Sequence, residues 1–156
     1  MTKALRTLSL LIMVLGVVAI GIGGVFIGEG FVKNKLIVDR MQVEKVTLAL
    51  DPNNPKVTTP VRNAADAQAA ADLISTHRRA IAPTYQDLLG TGQFDPTNPK
   101  DLIYAQAMNL ENYLYMAVLA FGLVQVVLGA GAFMLIAGLA LVFIGLILMR
   151  LPLKPV

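Results

Sequence analysis

Between Glu111 and Arg150 the chain carries 38 consecutive residues without a charge, Asn112 to Met149. As one helix this run would measure roughly 57 Å at about 1.5 Å per residue, against a hydrocarbon core of about 30 Å. It is about twice what a single membrane crossing needs. It therefore holds either one overlong helix or two short ones joined at Gly129-Ala130-Gly131. Glycine can supply the backbone conformations of a tight reversal. A single helix would push about half its uncharged length out of the hydrocarbon, which is unfavourable unless something covers it. The expectation is a hairpin broken near 129–131. The fold class that follows is an all-α integral membrane protein with three transmembrane helices, two being the alternative, and a mainly helical polar domain between the first and second.

The first crossing is Thr7 to Gly28, 22 uncharged residues behind a short tail with Lys3 and Arg6. A cleaved signal peptide has a similar basic start but a shorter apolar core of about 7–15 residues, so this segment reads as a retained anchor. Residues 1–30 form the tail and first helix, 31–111 the polar domain, 112–149 the second apolar region and 150–156 a short basic tail. Glycines recur at sevens in both apolar regions: Gly16, Gly23 and Gly30, then Gly122 and Gly129, then Gly131, Gly138 and Gly145. Gly24 and Gly28 make a GxxxG. Small residues let helix backbones approach closely in lipid. The candidate helix-packing residues are accordingly Gly16, Gly23, Gly24, Gly28, Gly122, Gly129, Gly131, Gly138 and Gly145.

In the polar domain, Val32, Leu36, Met41 and Val43 keep a helical rhythm, so the first helix continues to about Val43. Val46 to Leu50 alternates as a short extended segment, and Asp51-Pro52-Asn53-Asn54-Pro55 is a turn. A helix follows from an Asn63 cap to Ala82, stopped by Pro83. Its apolar face reads as Ala65, Ala69, Ala70, Leu73, Ile74, His77 and Ile81. Tyr85 to Leu89 adds a turn before Gly90, and Asn98-Pro99-Lys100-Asp101 starts the helix that leads into the long apolar run. Tyr104, Tyr113 and Tyr115 are placed near a membrane interface, where amphipathic rings are favoured.

Charge and composition narrow the function. All 10 acidic residues lie between Glu29 and Glu111, while Lys3, Arg6, Arg150 and Lys154 sit in acid-free tails. The net charge of +3 thus reflects membrane-flanking residues and no nucleic-acid surface. Without cysteine, a disulfide, a thiolate metal site and a lipoprotein attachment are excluded. The positive-inside rule favours the N-terminus inside and the central domain outside. Two crossings would place both basic tails inside; three would put Arg150 and Lys154 outside, and an inverted topology with the central domain inside is the other way to satisfy the rule.

Several segments resemble a group of small bacterial membrane proteins that carry the label "aromatic ring-opening dioxygenase LigA". They are Val43-Glu44-Lys45-Val46-Thr47-Leu48, Ala71-Asp72-Leu73-Ile74-Ser75-Thr76-His77, Thr84-Tyr85, Leu119-Ala120-Phe121-Gly122-Leu123 and Gly129-Ala130-Gly131-Ala132-Phe133. The likeness covers most of the chain, and Phe94 to Pro99 departs from it. It implies a second half that forms a membrane hairpin. The chemistry in the label does not carry over, because a non-haem iron site needs something like two histidines and a carboxylate. This chain has one histidine.

His77 reads as a helix-face residue packed against neighbours, and His77-Arg78-Arg79 as a solvated basic turn, the alternative being a contact for lipid phosphate or an acidic partner. Gln125, the most polar side chain inside the second run, reads as a hydrogen-bonding tether to another helix. No ionisable residue interrupts either run, which argues against a proton or ion pathway. No nucleophile-elbow or phosphate-loop pattern is present. The expected function is non-enzymatic and needs no cofactor or metal: a structural or accessory subunit of the bacterial inner membrane. It would pack through glycine-rich helices with lipid, with copies of itself or with subunits of a larger complex. The alternative is a membrane-anchored binding or sensor module with an extracytoplasmic ligand- or peptide-binding domain.

Overall fold

The computed structural model describes residues 2–49 and 58–150. The chain is mostly helical and runs α1 (Thr2–Val43), β1 (Thr47–Ala49), β2 (Thr58–Pro60), α2 (Ala64–Ile81), α3 (Tyr85–Leu89) and α4 (Pro99–Arg150). The turn expected at Asp51 to Pro55 and the tail beyond Arg150 lie outside the described residues. Both α1 and α4 are long and apolar enough to cross a membrane, and only 11% of the most apolar stretch of each is buried. A core helix of a water-soluble domain would hide that surface.

The chain divides into two compact units, Met1–Lys33 with Val124–Val156, and Asn34–Leu123. In the first, α1 and α4 pair antiparallel along the glycines spaced at sevens. In the second, Leu114, Ala117 and Phe121 of α4 join Ala67, Ala70 and Ala71 of α2 and Val61 in one core, against which Ile37, Val38 and Met41 of α1 pack.

The hairpin does not form. α4 is helical without interruption through Gly129-Ala130-Gly131, and the only glycine with positive φ among the described residues is Gly90. Two long apolar helices are present among the described residues where three were expected. The physical reason lies in the N-terminal part of the apolar run. One face of it, Leu114, Ala117 and Phe121, packs against α2 and the end of α1 as the core of the second unit, while Tyr113, Met116, Leu119 and Leu123 stay exposed. At 52 residues α4 is roughly 78 Å long.

Local signals fix the remaining ends. α1 stops at Val43 with Lys45 left-handed at φ 52°. The Val46 N–H reaches the Met41 carbonyl at 2.9 Å and the Lys45 N–H the Gln42 carbonyl at 3.0 Å, the two bonds of a Schellman cap. That turn feeds β1, which pairs antiparallel with β2 through Leu48 opposite Thr59. Asn63 caps α2 by accepting from the Asp66 N–H at 2.9 Å, and Asn98 caps α4 by accepting from Lys100 at 3.0 Å.

Candidate functional site

Three arrangements concentrate what chemistry the chain has: a glycine seam in the first unit, and a buried ion pair and an apolar groove in the second.

Along the seam the backbones touch. A Cβ at Gly16 would stand 2.7 Å from the Gly138 carbonyl oxygen, and one at Gly138 would stand 2.7 Å from that of Gly16. Gly23 and Gly131 face each other in the same way, at 2.8 and 2.9 Å. A Cβ at Gly145 would run into Met13 and lie 3.1 Å from the Ser9 carbonyl, and one at Gly30 would run into Leu128. Ser9, fully buried, donates its hydroxyl to the Gly145 carbonyl at 2.6 Å. Of the glycines nominated for packing, Gly16, Gly23, Gly131, Gly138 and Gly145 are therefore brought together. Gly24, Gly28, Gly122 and Gly129 are not: nothing lies within 4 Å of where their Cβ atoms would be. A helix turns 3.6 residues at a time, so a seven-residue repeat stays on one seam while the GxxxG pair points elsewhere. Gln125 is exposed and makes no side-chain hydrogen bond to another helix among the described residues.

In the second unit Arg78 points inward. Its Nε donates to Glu111 Oε2 at 2.7 Å, and both side chains are about nine-tenths buried. Nη1 donates to the Tyr104 hydroxyl, and the guanidinium carbon sits 5.0 Å from the Tyr104 ring centroid. The hydrogen bond from Arg78 holds the Glu111 carboxyl below its ordinary range, burial opposing it, and the same bond raises the guanidinium. Arg78 is thus withdrawn from the solvated basic turn read at His77-Arg78-Arg79, and with it from the alternative contact with lipid or an acidic partner. His77 and Arg79 are exposed.

The buried face of α2 is Ala67, Ala70, Ala71 and Ser75, with Ile74 packed against the core; of the stripe read off the sequence Ala70 and Ile74 are on this face, while Ala65, Ala69 and His77 are exposed. Alanine on every side of α2 makes the apolar face ambiguous, and the Arg78–Glu111 pair selects the orientation. Tyr104 is completely buried beneath Arg78 rather than placed at an interface. Tyr115 donates to Asp72 Oδ1 at 3.2 Å, and Tyr113 is exposed.

Between residues 36–46 and 110–120 of the second unit lies a half-open cavity of about 710 Å³. Leu36, Ile37, Met41, Val46, Leu110, Leu114, Met116, Ala117 and Ala120 line it, and Arg40, Glu44 and the Tyr113 ring edge it. A smaller cavity of about 260 Å³ shares Glu44, Val46, Leu110 and Leu114 and extends to Lys45 and the Ala70, Leu73 and Ile74 side of α2. No motif marked this groove; the only sequence signal was Leu36 and Met41 recurring among charged residues.

Among the described residues no three His, Asp or Glu side chains gather as a metal site would require. The chain matches no family model, no curated protein and no solved structure.

Proposed function

We propose that the protein is a non-catalytic bacterial inner-membrane protein, anchored by two crossings, whose second unit is a binding module outside the cytoplasm. The observation that carries this reading is the groove. It falls within the roughly 300–1,000 Å³ range of small-molecule sites and shares their build, apolar walls with a few polar groups at the edge. The Arg78–Glu111 pair acts as the clamp that keeps α2 on the α4 surface behind it. Two crossings put Lys3, Arg6 and Arg150 on one side, and the positive-inside rule makes that side the cytoplasm. Native mass spectrometry of the protein extracted in mild detergent tests the function: a chain that retains a small molecule supports it. A bare chain overturns it. Because the chain has no cysteine, Thr91→Cys labelled by an impermeant maleimide on intact cells tests the orientation.

A second reading is an accessory or structural subunit of a homo-oligomer or larger membrane complex. Gly24 and Gly28 favour it, because they leave the outer side of α1 open to another helix. A mass containing several chains, lost on Gly24→Leu, would decide for this reading.

A further inference from the structure

We infer that the groove of the second unit takes a single-chain amphiphile, its acyl tail along the apolar walls and its anionic head on Arg40; this rests on the binding-module reading above. The walls offer a tail little besides aliphatic and thioether carbon: Leu36, Met41, Leu110, Met116 and Ala120. Methionine suits such a wall, since its flexible, polarizable side chain adapts to a ligand without a fixed shape. Polar groups gather at the edge of the cavity. Arg40 projects there from α1, and Lys45 stands at the adjoining cavity, against the single carboxylate Glu44. The excess of positive charge selects an anion over a cation. A guanidinium's fork of donors matches either a carboxylate or a phosphate.

A route for the tail is present on α4. Its exposed apolar side chains in the second unit continue past the groove as Met116, Leu119 and Leu123, the last two each more than two-thirds exposed. Along these residues a tail meets carbon and no polar group that would cost desolvation.

The full-length protein in lipid nanodiscs is irradiated with three diazirine-bearing probes: a fatty acid, a lysophosphatidic acid and an uncharged long-chain alcohol. Labelled residues are then mapped by mass spectrometry. Labelling at Met41, Leu110 or Met116 by an acidic probe and not by the alcohol is the expected result, and the better acid identifies the head. Arg40→Gln should raise the half-saturating concentration of that probe about tenfold, the worth of one hydrogen bond to a charged group. Ala120→Phe, which fills the groove from a partly exposed position, should abolish groove labelling while leaving labels on the apolar surface of residues 124–150. Equal labelling by the alcohol would overturn the anionic head and leave the binding module standing. Absence of groove labelling with all three probes, or labelling that Ala120→Phe does not change, would overturn both.

Discussion

In Met1–Lys33 with Val124–Val156 the closest approaches are between backbones, whereas in Asn34–Leu123 they are between side chains. The glycine seam works by omission: Gly16 and Gly138 meet because neither has a Cβ, and their contact surface is carbonyl against carbonyl-bearing backbone. The second unit works by addition, with Leu114 and Phe121 filling space and Arg78 binding Glu111 across a tyrosine. Where both neighbours of a helix are apolar, hydrophobic transfer gives no reason to choose a helix over lipid, and close packing must do the selecting. Where one neighbour is water, burial supplies the drive and a polar pair can specify which face turns in. One kind of residue tolerates no growth; the other tolerates no loss.

The sharpest way to break this contrast is to remove half of the ion pair. Arg78→Leu should cost about 3–5 kcal/mol by leaving Glu111 buried and unpaired, and Arg78→Leu with Glu111→Leu should cost less than that single change. Thermal unfolding followed by circular dichroism measures both, and additivity of the two changes would show that the pair is no unit. The pH dependence has a definite sign. Because Glu111 titrates lower in the folded state, the pair's contribution is complete above the ordinary glutamate range. It is lost as the pH falls through the depressed folded value. Protection of the α2 amides, their exchange taken relative to the unfolded chain at the same pH, should therefore hold above the ordinary glutamate range and fall below it in the wild type, and should lose that step in the double variant.

Growth at the seam comes next. Gly138→Ala should destabilise by about 1–3 kcal/mol, since the new methyl meets the Gly16 carbonyl and the Ile20 backbone nitrogen, neither of which can swing away, as well as the Ile20 side chain. Thermal unfolding followed by circular dichroism measures this as well. Ser9→Ala should cost roughly 0.6 kcal/mol, the usual worth of a hydrogen bond between helices in lipid. Smallest of all is Gly24→Ala: its Cβ meets nothing within 4 Å, so the melting temperature should not fall. A fall there would mean that Gly24 is a contact after all, with a neighbouring molecule.

Much of the fold was legible in residues with strong local chemistry. Asn63, Pro83 and Asn98 mark helix ends by what their own atoms can and cannot bond, and α1 ends at Val43, as its apolar rhythm indicates. The seven-residue glycine spacing also announced close antiparallel packing. Its partner was not legible, because Gly131, Gly138 and Gly145 fit any helix with the same repeat, and a hairpin within the second run supplied one as readily as α1. Whether that run folds back depended on what covers Leu114, Ala117 and Phe121, which is decided by a helix some forty residues earlier. The alanine-rich sequence of α2 left its orientation to one arginine. β2 (Thr58–Pro60) was missed because three residues ending in proline show too little alternation to register.

The repeat that closes the seam has a cost in information. Ser9, Gly16 and Gly23 face Gly145, Gly138 and Gly131. Displaced by one heptad, roughly 10.5 Å along the axis, Gly16, Gly23 and Gly30 would instead face Gly145, Gly138 and Gly131, and the zip would close on glycine three times over. The seam is a vernier with identical marks: it sets how near the helices come and is silent on where along each other they stop. Alignment must be stored in positions that do not repeat, namely the Ser9 hydroxyl on the Gly145 carbonyl and the Leu128 side chain over Gly30.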